Sequence, residues 1–283
     1  ILLDAGALVD ARGVLGVSAL MMAADRGYAT TVQALLDAGA KVDVGNEKGA
    51  TALMEAAGSG HSDIVHLLLE AGSAVDLKDE GGLTALQKAA DHGHVNVLKA
   101  LVKAGADVDA RDPKGGTALA RMAQKGDLVT LKALMEAGAQ VNVKDQQGAT
   151  PLMWSVRRRR TSLVTVLLEA GANGHEIDHG GGTALMLASD AGIARALLEA
   201  GTDVHARALD GWTPLMAAAT RDALDVLRIF LEAGADVHAK DESGWTALLT
   251  GASRGATRAV KALLEAGADV NAKSRAGSTA LMW

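Results

Sequence analysis

The side chains best suited to recognition form a cationic and aromatic cluster in the middle of the chain. Arg157, Arg158, Arg159 and Arg160 are consecutive and closely follow Trp154. Because residues three and four apart share one face of a helix, we expect Trp154, Arg157 and Arg158 to form one surface. Arginine is enriched at protein-binding hot spots, so this surface is a candidate contact site. A structural interpretation stays open: the arginines offset a helix dipole, worth about 0.3–1 kcal/mol, and Trp154 packs as core.

Catalytic and metal-binding patterns are not found in the sequence. The chain has no cysteine, which removes thiolate nucleophiles, thiolate metal ligands and disulfides. His175, His205 and His238 recur at similar intervals, but a metal needs its ligand nitrogens about 2.0–2.1 Å from one centre. Gly58-Ser59-Gly60 is followed by His61, which breaks the dinucleotide-binding pattern. We therefore predict no enzyme activity, no metal site and no cofactor.

Composition narrows the class of protein further. Apolar residues make up 49 % of the chain and aromatic residues 2 %, so the predicted core is built of Ala, Leu and Val. The net charge of −6 argues against a wholly basic nucleic-acid binder. The longest apolar runs fall short of the roughly 18 residues that indicate a membrane span. We favour a cytoplasmic location, although the cysteine content fits the periplasm equally well.

The chain repeats itself with a step of 33 residues, apart from one step of 30. A Thr-Ala/Pro-Leu phrase and a later Glu-Ala-Gly-Ala-Asp-Val phrase both keep this step. Such a period indicates a solenoid, in which each unit buries its apolar face against its neighbours. The predicted complete repeats are 13–45, 46–78, 79–111, 112–144, 145–177, 178–207, 208–240 and 241–273. Residues 1–12 and 274–283 are predicted partial repeats of one domain, and we expect the chain to be an excerpt of a longer protein.

Each repeat is predicted to contain two short helices. In repeat 79–111, Thr84 is placed to cap a first helix, which Gly93 ends in the left-handed conformation. A second amphipathic helix stops at Gly105, and residues 107–110 are predicted to be extended. The sequence thus predicts an all-α architecture of stacked helix-turn-helix units.

These motifs resemble the ankyrin repeat over the whole chain. The resemblance rests on Asp-x-x-Gly-x-Thr-Ala/Pro-Leu, on Gly60-His61 and Gly93-His94, and on the Glu-Ala-Gly-Ala-Asp-Val phrase. It implies an ankyrin solenoid with turn or hairpin fingers and protein partners bound on the concave face and turn tips. The family's His after Thr-Pro-Leu is largely replaced here, and we expect five methionines to substitute apolar packing for its hydrogen bonds. They are Met21, Met54, Met153, Met186 and Met216.

The repeat register adds residues to the candidate surface. Lys88 and Arg121 stand at the position of Trp154 in the two preceding repeats, with Lys125 nearby. Trp212 and Trp245 occupy two adjacent turns, where stacking places them roughly 10 Å apart. The structural alternative is that Trp212 and Trp245 only fill their turns and contact no partner. The candidate partner-binding residues are Lys88, Arg121, Lys125, Trp154, Arg157, Arg158, Arg160, Trp212 and Trp245.

The sequence favours a non-enzymatic protein-interaction module that binds its partner through the concave face and turns, centred on residues 79–178, and an acidic partner is one candidate. Two alternatives stay open: a regulatory or targeting arm of a larger enzyme or channel, and a binder of anions or nucleic acid. The 30-residue step predicts that the second helix of repeat 178–207 loses nearly a turn. We expect a bend at residues 174–200, between a basic N-terminal arm and a C-terminal arm that carries Trp212 and Trp245.

Overall fold

The computed structural model describes residues 5–283, and the first four residues of the predicted N-terminal partial repeat lie outside this range. The described residues up to 140 form one compact unit, and residues 141–283 form another. The described residues contain sixteen α-helices and no strand, as the sequence predicts. The first helices of the repeats are α1 (Ala19–Arg26), α3 (Ala52–Ser59), α5 (Ala85–Asp91), α7 (Ala118–Lys125), α9 (Pro151–Arg157), α11 (Ala184–Leu187), α13 (Pro214–Thr220) and α15 (Ala247–Ser253). The second helices are α2 (Ala29–Asp37), α4 (Ser62–Glu70), α6 (Val95–Lys103), α8 (Leu128–Glu136), α10 (Thr161–Glu169), α12 (Ala191–Glu199), α14 (Leu224–Glu232) and α16 (Thr257–Glu265).

Each first helix begins at a hydroxyl residue with extended backbone. The side-chain oxygen of Thr84 accepts a hydrogen bond from the Gln87 amide at 3.3 Å, which confirms its predicted capping role. This bond satisfies one of the amides that a helix N-terminus leaves without an intrahelical partner. The same contact recurs at Ser18, Thr51, Thr117, Thr150, Thr183, Thr213 and Thr246.

One column of residues in the left-handed conformation follows the first helices. Glycine fills it in five repeats, at Gly27, Gly60, Gly93, Gly126 and Gly255, with φ between 66° and 84°. In two repeats Arg159 (φ 56°) and Asp222 (φ 49°) take the same place. Because a Cβ atom disfavours this region by about 1–2 kcal/mol, both positions carry backbone strain.

The core is aliphatic and evenly distributed. The leucine of each Thr-Ala/Pro-Leu phrase is no more than 2 % exposed, from Leu20 to Leu248. Full burial of such a side chain is worth about 1.5–3 kcal/mol. The five methionines after these leucines are also buried, as expected. At the same position Gln87 is fully buried and keeps polar links: it accepts from the Thr84 amide at 3.0 Å and donates to the Ala110 carbonyl at 2.9 Å.

The short repeat differs from the prediction. Helix α12 has nine residues, like every other second helix, whereas the first helix α11 has only four. The three missing residues are therefore taken from the first helix, and the predicted loss in the second helix is wrong. Asp190 caps α12 by accepting from the Ile193 amide at 3.1 Å, so α12 begins on a new cap and keeps its full length. The predicted bend at 174–200 stays a prediction.

The connections between repeats are turns. The segment 107–110, predicted to be extended, instead closes a turn in which the Ala110 amide donates to the Asp107 carbonyl at 3.2 Å. An acidic or amide side chain in the connection also accepts from a backbone amide 31 residues later. These pairs are Asp10 with Lys41, Asp43 with Ala74, Asp76 with Asp107, Asp109 with Gln140, and Asn142 with Asn173. Among the described residues this ladder ends at Asn142, and the next positions of the column are His175, His205 and His238.

Candidate partner-binding site

Trp154 lies on α9 and is fixed by its own turn. Its indole Nε1 donates to Asp145 Oδ2 at 2.8 Å, while Asp145 Oδ1 accepts from the amides of Gln147 and Ala149. The indole is half-buried. One carboxylate therefore shapes the turn and orients the ring.

Arg157 stacks on this ring. Its guanidinium carbon lies 5.0 Å from the centre of the Trp154 ring, a cation–π distance. The nearest carboxylate is Asp178, at 3.9 Å from Nη2, and 45 % of the Arg157 side chain is exposed. Trp154 and Arg157 thus form the single surface that their spacing predicts.

The other three arginines are exposed at the end of α9. Arg158 ends the helix and Arg160 precedes α10. For these two side chains no ion pair is found within residues 5–283. Arg159 takes the left-handed position that glycine holds in five other repeats, and it contacts Asp190 at 4.0 Å with 63 % of its side chain exposed. Such an exposed pair contributes little to stability.

The three candidate cations of the N-terminal unit, Lys88, Arg121 and Lys125, are each paired with an acid of the same unit. Lys88 Nζ contacts Asp79 Oδ2 at 2.8 Å. Arg121 bridges Asp112 Oδ2, at 3.1 Å, and the carboxylate of Asp91. Lys125 Nζ contacts Asp91 Oδ1 at 2.8 Å. These cations are consequently held by acids, and their positive charge is largely offset.

The surroundings of Asp91 and Asp79 favour the ionised form of both carboxyl groups. Burial raises the pKa of Asp91, but hydrogen bonds from Arg121 and Lys125 outweigh it and hold the pKa below the ordinary 3.8. Burial also raises the pKa of Asp79, but hydrogen bonds from Lys88 and from two backbone amides lower it by more. The pKa of Asp79 therefore lies below its ordinary value. Both acids are therefore ionised partners of these cations at neutral pH.

The two turn tryptophans have separate surroundings. Trp245 is half-buried, and its ring centre lies 6.0 Å from that of Trp283, at an angle of 40°. Trp212 is half-buried and lines a groove beside the short helix α11. The turn amides of both residues donate to an aspartate, Asp210 for Trp212 and Asp241 for Trp245.

Among residues 5–283, no three His, Asp or Glu side chains converge as metal ligands would. No helix in this range combines the length and the apolar character that crossing a membrane requires.

Comparison with known proteins decides the family. The family model of ankyrin repeats in three copies matches residues 20–112, 119–208, 160–241 and 185–274. The chain belongs to the ankyrin-repeat family. Ankyrin repeats are generally protein-interaction modules and typically non-catalytic. Among solved structures, the ankyrin repeat domain of Bcl-3, described as a unique member of the IkappaB protein family, is similar at 30 % identity and a TM-score of 0.70. The match covers 75 % of this chain and 99 % of that one. A comparison with curated proteins gave no match.

Sequence reasoning missed the acids that pair with the cations of this ankyrin chain. In three consecutive repeats the turn aspartate offers one oxygen to a donor nine residues later: Asp79 to Lys88, Asp112 to Arg121, and Asp145 to Trp154. The constant spacing is visible in the sequence and could have revealed these three pairs. The link from Asp91 to Arg121 spans 30 residues and depends on the stacking of α5 and α7.

Proposed function

We propose that this chain is a non-enzymatic protein-interaction module that binds a partner through the exposed side of its first helices and its turn tips. The contact site centres on Trp154, Arg157, Arg158 and Arg160. The observation that carries the proposal is the Trp154–Arg157 stack, an oriented aromatic ring under an accessible guanidinium. Tryptophan and arginine are the residue types most enriched at binding hot spots.

The proposed partner presents acidic side chains. Arg158 and Arg160 are exposed beside the stack, and carboxylates form bidentate, charge-assisted bonds with guanidinium groups. The pairing of Lys88, Arg121 and Lys125 with acids supports a protein partner over nucleic acid, since those cations offer less free charge to phosphates. A role as the regulatory arm of a larger enzyme or channel uses the same contact.

A peptide-display selection on the immobilised chain provides the test. Selected peptides are expected to be rich in Asp and Glu. Replacing Trp154, Arg157 and Arg158 by Ala is expected to weaken their binding by more than about 2 kcal/mol, measured by calorimetry. The control variant Arg26→Ala/Arg254→Ala removes the same charge from two exposed ends of first helices and is expected to bind normally.

Two results count against this function. If the triple variant keeps its helicity by circular dichroism and still binds as the wild type does, the site lies elsewhere. If duplex or single-stranded DNA binds more tightly than the peptides, with affinity that falls steeply as salt rises, the chain binds nucleic acid.

A further inference from the structure

The shortened helix α11 leaves a groove in the C-terminal unit. The groove has a volume of about 390 Å³. We call it the α11 groove and define it by Asp178, Leu187, Asp210, Trp212, Ala217 and Arg221. Trp212 supplies an indole face, whereas Leu187 and Ala217 supply apolar surface. This arrangement offers both an apolar lining and fixed charges to a ligand.

Asp178 lacks a hydrogen-bond donor that the equivalent aspartates have, and this indicates which ligand fits the α11 groove. Asp178 occupies the position of Asp79, Asp112 and Asp145, and its Oδ1 likewise accepts from two turn amides, those of Gly180 and Gly182. Nine residues after Asp178 stands Leu187, which cannot donate a hydrogen bond. The Oδ2 atom of Asp178 therefore lacks the donor that the three preceding repeats supply, and its nearest cation is Arg157, at 3.9 Å.

The charges in the groove are separated along α13. Asp210 precedes the N-terminus of this helix and Arg221 follows its C-terminus, and the seven residues of α13 itself span roughly 10 Å. The Nη1 atom of Arg221 donates to the Met186 carbonyl at 2.9 Å and to that of Ala217 at 3.4 Å. Arg221 thus replaces part of the missing turn of α11, and its charge is directed to backbone carbonyls. The Asp178–Asp210 end is left with negative charge.

We propose that the α11 groove binds a cationic side chain, Lys or Arg, from an extended segment of the partner protein. The aliphatic stem lies against Leu187 and Ala217, and the cation stacks on Trp212 and donates to Asp178 Oδ2, as Lys88 does to Asp79 in its repeat. This proposal rests on the proposed function as an interaction module, and it adds a second, oppositely charged contact to the Trp154 site.

The direct test uses short peptides and the indole N–H signal of Trp212. Blocked glycine–X–glycine peptides, with X as Arg, Lys, citrulline or Glu, are titrated to millimolar concentrations into ¹⁵N-labelled protein, and the signal is assigned with Trp212→Phe. The Arg and Lys peptides are expected to shift the Trp212 signal, whereas the citrulline and Glu peptides leave it in place. An equal response to citrulline, a stronger response to Glu, or no response to any peptide overturns the proposal.

Two substitutions test whether Asp178 binds the cation of the peptide. Asp178→Asn keeps the oxygen that holds the turn and is expected to weaken the Arg peptide at least about tenfold, the equivalent of one charge-assisted bond. Asp241→Asn is the matched control, because Asp241 Oδ1 holds its own turn in the same way, and binding is expected to be unchanged. Unchanged affinity in Asp178→Asn contradicts the proposal.

A third variant fills the site from within. Leu187→Lys recreates the Asp79–Lys88 pair in this repeat, so it is expected to stabilise the turn and to abolish peptide binding. If the Arg peptide still binds Leu187→Lys, the groove is not its site. These titrations use short peptides instead of the partner, so the groove can fail while the Trp154 site stands, and the reverse also holds.

Discussion

At the scale of single residues, Asp222 and Arg159 carry the same backbone strain at equivalent positions, but their side chains compensate it differently. Asp222 adopts the left-handed conformation, but its carboxylate accepts from Arg258 Nε and from the Ala259 amide, both at 2.9 Å. Arg159 adopts the same conformation and gains only the long, exposed contact with Asp190. The strain at Asp222 is thus offset by local bonds, whereas the strain at Arg159 is not.

Arg159→Gly is therefore expected to stabilise the protein by about 1 kcal/mol, because glycine adopts positive φ without the Cβ penalty. Urea denaturation of the purified variant measures the change. Asp222→Gly serves as the control and is expected to bring no gain, since it removes the two bonds at that position. Equal stabilisation by both substitutions refutes the explanation.

Asp91→Asn is expected to destabilise the protein by about 1–2 kcal/mol at neutral pH, because Arg121 and Lys125 lose a largely buried charged partner. The folded-state pKa of Asp91 lies below its ordinary value, so its stabilising contribution is present above about pH 5 and is lost as the pH falls through the lowered pKa. The difference between wild type and variant should shrink on acidification. Denaturant midpoints between pH 7 and pH 3 test this, with the exposed Glu80→Gln as control; a difference that does not change with pH contradicts it.

At the scale of elements, side chains of one repeat satisfy the C-terminal carbonyls of the first helix of the preceding repeat. His61 contacts the Asp25 carbonyl at 2.9 Å, and His94 that of Gly58 at 3.0 Å. Lys125 and Arg221 make the same kind of contact with other side-chain donors. Since these carbonyls have no partner within their own helix, such bonds stabilise the stacking of repeats.

The ladder of side-chain bonds to the amide 31 residues later is missing at His175, His205 and His238 in the described C-terminal unit, and His205 allows a test. His205 stands where Asp43, Asp76 and Asp109 accept from an amide 31 residues later, which for His205 is the amide of Asp236. His205→Asp is expected to install this bond and to raise the free energy of unfolding by about 0.5–1.5 kcal/mol. Thermal and urea denaturation measure it. His66→Asp, which adds the same charge on exposed α4, should bring no such gain, and equal effects of the two variants count against the prediction.

Local signals explain why the elements were predictable. Thr84 and Gly93 mark a helix start and a helix end by their own backbone preferences, and repetition in register reinforced both. The shortening was misplaced because a three-residue deletion can be taken from either helix, and the new cap at Asp190 depends on how the chain packs. The pairing of Asp91 with Arg121 depends on contacts between repeats, which the sequence of one repeat does not contain.

At the scale of the whole molecule, the repeating architecture followed from the 33-residue period and the family from the resemblance of its motifs to the ankyrin repeat, whereas the binding surface followed from neither. The candidate cations divide into those held by acids, such as Arg121, and those left exposed, such as Arg158. Stacking of neighbouring repeats contributes the pairing of Asp91 with Arg121, whereas Lys88 and Arg121 also pair with an aspartate of their own repeat. The bend predicted at residues 174–200 depends on the rotation between repeats 145–177, 178–207 and 208–240, and a crystal structure that shows unchanged rotation there refutes it.

Stability is expected to be graded along the chain. Because each repeat contacts only its neighbours, opening should begin at the ends and spread inwards. Amide hydrogen exchange should show the weakest protection before Gly13 and after Lys273. Uniform protection that is lost in one all-or-none step is incompatible with this expectation.

The most direct test of the proposed binding site uses the four indole N–H signals of the chain as reporters. Trp154 stacks with Arg157, Trp212 lines the α11 groove, and Trp245 contacts Trp283, so the signals report on three parts of the surface. On addition of a selected acidic peptide to ¹⁵N-labelled protein, the Trp154 signal is expected to shift and saturate with the affinity measured by calorimetry, while those of Trp245 and Trp283 stay in place. Saturable binding that leaves the Trp154 signal unmoved contradicts the proposed function.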